Sequence, residues 1–481
     1  MTSSLSSPWA DMSEPQQFDV VVVGGGIAGL VAANRAAQLN LKAVVLEQGE
    51  DEKYLCNTRF TGGTLHICLR EITLDEETLR LKILESGGGF IQPEIAQVIA
   101  REGRRVVRWL QDEGMRFMRA SASEYHKWVL APPGRSRPGL DWEGRAGDVL
   151  LRTLEARLIS RGGKVVRGAR ADTLIMDGGR CVGVVAEQRA GKTPYRARAV
   201  FIADGGFSGN AELVERYVSR RPERLKQRGA GTGKGDGMRM AEAAGAALVG
   251  MDRFYGHTLS VDAMKNDMLW PYPYLDSLVT AGIVVDSGGR RFVDEGRGGV
   301  YVANAVAALE DPQSAHVIFD QAIWEKAGRN GLIAANPHVE REGGTIHRAD
   351  TLDALAGLAG LSADALTRTI LQYNEAVSGK EQPGILSPPR YREKFDACPI
   401  LKGPFYALPM CAGITYTMGG IQVNANAQAV RPDGSAIGGL YALGSAAGGI
   451  EGGPEVAYVG GLAKAGVTAL MAAEHLAAEK I

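Results

Sequence analysis

From Phe18 to Val23 the chain is apolar but for Asp19 and stops at glycine, the pattern of a strand buried on both faces in a parallel sheet. A helix of small residues is expected next, through Ala37, and then a second apolar strand, Ala43–Leu46, ending in Glu47. Farther on, Ala169–Met176 and Cys181–Gln188 flank Asp177-Gly178-Gly179 and predict a β-hairpin. Tyr195–Ala203 reads as another strand, and "GRRFVDE", 289–295, is strand-like. Asp236, ahead of an alanine-rich helix, reads as its N-cap. Near the C-terminus "GGLYALGS" predicts a short strand, followed by a helix from Gly460 onward. Strand-rich segments at both ends of the chain predict one nucleotide domain, split by an insertion.

The first strand and helix are joined by Gly24, Gly26 and Gly29 in G-x-G-x-x-G spacing. The first glycine permits the tight turn, the second lets backbone approach a pyrophosphate, and the third lets helix pack on strand. The helix start offers free N–H groups and a positive dipole end to phosphates. Glu47 follows Gly29 at the distance where a carboxylate accepts both ribose hydroxyls, and its charge excludes a 2′-phosphate. A bound dinucleotide is implied, with FAD and NAD both open at this point.

The chain has 481 residues, enough for two or three domains, and its 45% hydrophobic and 23% charged content suits a globular enzyme. A net charge of −1 argues against nucleic acid or an anionic membrane as partner. No run reaches membrane-spanning length. Residues 1–15 read as a disordered leader without signal-peptide features. The five cysteines lack metal-like spacing and read as reduced thiols of a cytoplasmic protein, with no metal site expected.

Taken together, GGGIAGL, NTRFTGG, ADGGF, GAGTGKGDGMRMAEAAGAAL, GRRFVDE, TYTMGG and GLYALGS resemble, in the same order, the fumarate reductase and succinate dehydrogenase flavoprotein family. The pattern lies nearest its tricarballylate dehydrogenase and 3-ketosteroid Δ1-dehydrogenase branches. The resemblance implies FAD and an α/β fold: a split Rossmann-like FAD domain of glutathione-reductase type with an inserted α+β capping domain. The divisions expected are 16–252 and 400–481 for the FAD domain and 253–399 for the cap. It implies FAD contacts at Gly24, Gly26, Ile27, Ala28, Gly29, Glu47 and Gln48, then at Asn57, Thr61, Gly62 and Gly63. Ala171, Ala203, Gly205, Gly444, Ser445, Gly461, Leu462 and Ala463 complete the implied set, with serine at 445 where the family usually has glutamate. Some members attach FAD through a histidine that falls at Cys56 here, and noncovalent FAD is the expectation.

The chemistry implied is hydride transfer between flavin N5 and carbon, coupled to proton transfer at the neighbouring carbon beside a ketone or carboxylate. Arg297 is the first candidate for the proton carrier, two residues earlier than the family's arginine, with Tyr301 in reserve. Tyr416 stands where fumarate reductases have a substrate-binding histidine, and Tyr458 resembles the ketone-polarising tyrosine of ketosteroid dehydrogenases. His257 matches a histidine that contacts substrate carboxylate. No arginine occurs after Gly444, so the family's carboxylate clamp is missing and a small dicarboxylate is not expected. The aromatic run "MLWPYPYLDS", 268–277, suits a larger or more apolar substrate. The expectation is dehydrogenation, or the reverse reduction, with electrons passed to a separate acceptor. The alternatives are an oxidase of amines or hydroxy acids, and a flavin-binding redox subunit without activity.

Overall fold

The computed structural model describes residues 16–135, 137–378 and 386–479, so the leader expected over 1–15 lies outside them. Its larger sheet places Gln16–Val23 between Ala43–Glu47 and Gly191–Ile202, all parallel. Lys164–Arg167 extends one side. On the other, Ala436–Ala442 pairs in parallel with Gly191–Ile202, so the C-terminal strand completes a sheet that the N-terminus begins. Val20, Val21 and Val22 are wholly buried, as the apolar run requires. Each such side chain contributes roughly 1.5–3 kcal/mol. Helices Ile27–Gln38 and Gly461–Ala478 pack against each other on this sheet.

The expected hairpin is present as Arg170–Asp177 and Arg180–Gln188. Gly178 and Gly179 both have positive φ (54° and 80°), which a primed two-residue turn demands. Asp236, by contrast, is the first residue of helix Asp236–Ala243 rather than its cap, because its carboxylate is held by Arg170 and Arg239. The Gly237 amide donates instead to Asp204, at the end of the Gly191–Ile202 strand (2.7 Å).

A second sheet is built around the long strand Phe405–Thr417. Its N-terminal half pairs with His316–Asp320 and His347–Ala349, and its C-terminal half with Phe254–Ser260 and Lys226–Gln227. The division expected at 399/400 therefore falls ahead of a strand whose partners all lie in this second sheet. "GRRFVDE" is not a strand. Arg291 makes one isolated bridge to Val285, and the rest is fixed by side chains. The wholly buried Glu295 accepts from Arg291 (2.6 Å) and from the Val284 amide (2.9 Å), which forces a turn. Among the described residues no helix is long and apolar enough to cross a membrane.

Candidate active site

The two sheets face each other across a cleft of about 1040 Å³, at the upper end of the range for single small-molecule sites. At one end lies the glycine turn. A Cβ on Gly29 would sit 2.0 Å from the Gly24 carbonyl oxygen, and one on Gly24 2.6 Å from that of Ala203. These two glycines allow backbone to touch backbone. Gly26 differs: the nearest atom to its Cβ would be Thr58 Oγ1 at 3.5 Å, so its face stays open to the cleft. Gly26, the N-cap residue, has no side chain to accept from the helix start, and the Ile27 amide donates to Thr58 Oγ1 (3.1 Å). Glu47 accepts the Gly25 amide on one oxygen and the Gly49 amide on the other, both at 2.8 Å. A carboxylate oxygen accepts two hydrogen bonds, so each keeps a place for a ribose hydroxyl. Burial raises the Glu47 pKa despite these donors.

The cleft is also lined by Gly24, Ala28, Gln48, Asn57, Thr61, Gly62, Ala171, Ala203, Gly205, Gly444, Ser445, Gly461 and Leu462, all expected at the cofactor. Gly29, Gly63 and Ala463 are not among its walls. Gly29 is consumed by helix–strand packing, Gly63 packs toward Ala146 and Leu130, and Ala463 is buried in its helix. Asn57 acts as a strut, donating to Thr415 O (2.9 Å) and accepting from the Ala230 amide (2.8 Å). An open glycine face at a helix N-terminus and a carboxylate with spare acceptors fit an ADP moiety. Burial pushes the Cys56 thiol up to about 11, so little thiolate exists there for a covalent link.

At the other end the side chains are aromatic. Successive residues of a strand point to opposite faces, so Tyr255 and His257 share one face of Phe254–Ser260. Tyr416 lies opposite Tyr255 on the neighbouring strand, where a bulge at Thr415 interrupts the register. The Tyr255 ring stacks on Tyr458 at 4.0 Å and lies 5.2 Å from Tyr416. His257 stacks on Tyr274 at 4.5 Å, and Tyr272 adjoins Tyr274. The run "MLWPYPYLDS" thus supplies two walls of the site, and Asp276 just after them.

Three polar groups form a chain through this cluster. Asp276 Oδ2 lies 2.6 Å from His257 Nδ1, and His257 Nε2 lies 3.0 Å from the Tyr255 hydroxyl. Asp276 Oδ1 accepts from the amide and the hydroxyl of Thr258 (3.0 and 2.8 Å). Burial favours the neutral carboxyl of Asp276, but His257 and Thr258 outweigh it and hold the pKa below the ordinary value. Burial lowers the His257 pKa against the pull of Asp276, leaving a neutral imidazole. Its Nδ1–H then donates to Asp276, and the Nε2 lone pair faces Tyr255. Burial, reinforced by Tyr458, raises Tyr255 well above the ordinary phenol value.

Beneath Tyr416 lies an ion pair with no solvent exposure, Lys464 Nζ to Glu451 Oε2 at 2.6 Å. The same oxygen accepts the Tyr416 hydroxyl (3.0 Å), and the other accepts the amides of Val459 and Gly460 (both 3.0 Å). Glu451 therefore fixes both Tyr416 and the backbone that carries Tyr458.

Arg297 and Tyr301 line the cleft as well, but apart from this cluster's hydrogen bonds. The Arg297 guanidinium is held by Glu455, lies 3.7 Å from Asp294 and sits 5.1 Å over the Tyr301 ring. Of the five expected catalytic residues, the hydrogen-bonded and stacked cluster brings together His257, Tyr416 and Tyr458. Sequence reading missed Tyr255, Asp276, Glu451, Lys464 and Arg228, although all five lie within or directly beside segments it had singled out.

The chain as a whole is similar to known proteins. The NADH:acrylate oxidoreductase of Vibrio harveyi is 28% identical over 522 residues, covering 92% of this chain; the chain spans about half of that relative's length (49%). The 4-oxocyclohexanecarboxylate 2-dehydrogenase of Sinomonas cyclohexanicum is 29% identical, over 96% of this chain and 92% of its own. The solved 3-ketosteroid Δ1-dehydrogenase of Sterolibacterium denitrificans shares the fold (TM-score 0.72, 20% identity, 97% of this chain and 100% of that one). Residues 19–457 match the model of the FAD binding domain family; this chain belongs to that family, and FAD is its cofactor.

Proposed function

We propose that the protein is an FAD-dependent oxidoreductase that removes two hydrogens from a carbon–carbon bond beside a carbonyl, or adds them in reverse. The observation that carries this reading is a single cleft joining the dinucleotide cradle to the Asp276–His257–Tyr255 chain. FAD, bound along Gly26, Glu47 and Gly461, supplies the hydride acceptor or donor. Tyr255 takes the proton from the carbon next to the carbonyl as its own hydroxyl proton passes to His257 Nε2. The resulting imidazolium is stabilised by Asp276. A tyrosine whose pKa burial keeps high is a poor base alone, and the neutral imidazole behind it makes the transfer feasible. Tyr458, stacked on Tyr255, polarises the carbonyl, and Tyr416, whose hydroxyl donates to Glu451, packs beside Tyr255. The two relatives named above, by their printed activities an acrylate reductase and a cyclic keto-acid dehydrogenase, support this bond type.

Arg297 is assigned to the rim rather than to proton transfer, because Glu455 holds it. Residues 253–399, with strand Phe405–Thr417, form the cap over the flavin, and a separate redox partner exchanges the electrons. The test is anaerobic titration of the flavin spectrum with saturated cyclic ketones and keto acids. Bleaching by either class is expected; bleaching by neither, with amines or 2-hydroxy acids active instead, refutes the reading.

A further inference from the structure

Four other buried cationic side chains in the described structure have a carboxylate beside them. Arg59 has Asp148, Arg291 and Arg390 share Glu295, and Lys464 has Glu451. Arg228 is only 6% exposed and forms no ion pair among the described residues. Its Nη1 donates to Thr415 Oγ1 (2.8 Å) and its Nη2 to the Pro271 carbonyl (3.0 Å). Both acceptors are neutral. Its buried Nε has no hydrogen-bond partner among the described residues. A guanidinium carries five N–H donors, so donors remain unused on a charge withdrawn from water. Folding gains nothing from such a charge, and a buried cation is tolerated where an anion meets it.

The position of Arg228 identifies the anion's place. It follows the short strand Lys226–Gln227 beside Phe405–Thr417, and its backbone amide is anchored on Ile414 O (2.7 Å). Its guanidinium lies 6.0 Å from the Tyr272 ring centre and lines the cleft. Its charge reaches the reacting end, lowering the pKa of His257 and opposing the rise at Tyr255. Asp276, the carboxylate of that end, is already committed to His257 and Thr258.

We propose that Arg228 binds the carboxylate of the substrate, so that the substrate is a monocarboxylic acid whose ring or conjugated portion lies among Tyr255, Tyr272 and Tyr458. This rests on the cleft being the site of carbon–carbon oxidoreduction, and it assigns a carboxylate anchor to a segment other than the C-terminal one. One cation specifies one carboxylate, and the tyrosine walls take the uncharged remainder.

The test uses the flavin-loaded protein and two planar, non-reacting probes, benzoate and its neutral isostere benzamide. Each is titrated while the oxidised flavin absorbance is followed. Benzoate is expected to bind roughly ten- to a hundredfold more tightly than benzamide, the value of a hydrogen bond to a charged partner. In Arg228→Gln that preference disappears while flavin content and spectrum are retained; Arg228→Lys keeps part of it. If Arg228→Gln loses flavin, the Arg228→Lys protein and the wild-type preference decide the matter. Equal binding of the two probes by the wild type, or an undiminished preference in either variant, overturns the proposal. So does a shifted flavin reduction potential in Arg228→Gln with benzoate binding unchanged, since Arg228 would then serve the flavin. Benzoate binding without bleaching by any ketone or keto acid would leave the anchor standing and sink the oxidoreductase reading instead.

Discussion

Changing Glu451 to Gln removes the counter-charge of a lysine that has no contact with solvent. The glutamate accepts four hydrogen bonds, from Lys464, Tyr416, Val459 and Gly460. A glutamine can accept on one side only, so its amide group must face either two backbone donors or the ammonium and the phenol. Breaking a buried pair by removing one partner costs roughly 3–5 kcal/mol. The unfolding entropy, about 2.1 cal/mol/K per residue, comes to about 1 kcal/mol/K for 481 residues. The melting temperature should therefore fall by about 3–5 °C. The double variant E451Q/K464M removes both charges while the glutamine oxygen still accepts the Val459 and Gly460 amides, and its melting temperature should return to within about 2 °C of the parent. Scanning calorimetry of the flavin-loaded parent, both single variants and the double completes a cycle that isolates the coupling. A Glu451→Gln protein that melts within 1 °C of the parent by this order-of-magnitude reckoning, or a double variant as unstable as the two singles combined, would refute the argument.

Three further outcomes are expected. His257→Gln should lower turnover by roughly 10²–10⁴-fold with FAD content unchanged, because it removes the proton acceptor behind Tyr255. Since burial holds the His257 pKa below its ordinary 6.5, wild-type dehydrogenation should fall on acidification with a midpoint below that pH; a midpoint at or above 6.5 contradicts the assignment. Burial raises Asp204 from 3.8 to about 7, so the folded protein holds a proton that the unfolded chain has released. That contribution is complete below pH 3.8 and is lost as pH rises toward 7. Asp204→Asn, always neutral, should therefore gain on the flavin-free parent by up to roughly 4 kcal/mol between pH 4 and 8, read from paired melting curves; a constant difference across that range would contradict it. Finally, Gly26→Ala should lose FAD affinity and keep the apoprotein's melting temperature, whereas Gly29→Ala, driven into the Gly24 carbonyl, should lose stability first. Equal behaviour of the two would mean that the open face at Gly26 is not a ligand surface.

The dinucleotide half was legible because its chemistry is local. One strand, one turn and one helix carry Gly24, Gly26 and Gly29, and Glu47 ends the next strand, so spacing alone fixes their roles. The reacting end is assembled from residues far apart in the chain, and no local period announces it. Tyr255 was overlooked beside His257, although alternation along a strand puts both on one face. Glu451 and Lys464 are thirteen residues apart, across a glycine-rich loop whose shape cannot be read from composition. The strand expected at "GRRFVDE" failed because a buried Arg291–Glu295 pair outweighs the β-propensity of Phe292 and Val293. Arg228 carried no motif signal of its own; only the fold shows that it is enclosed with no ion-pair partner among the described residues.

Strand Phe405–Thr417 makes the second sheet impossible to detach by a single cut. A chain divided at 399 would take away the strand that His316–Asp320, His347–Ala349 and Phe254–Ser260 all need. The same strand ends in Thr415, Tyr416 and Thr417, which reach Asn57, Glu451 and the Phe207 amide outside that sheet. Recombination between relatives can therefore exchange this sheet only if the graft brings its own version of 405–417, and with it Tyr416 and its bond to Glu451. In this architecture, the second sheet and one wall of the cleft are inherited as one piece.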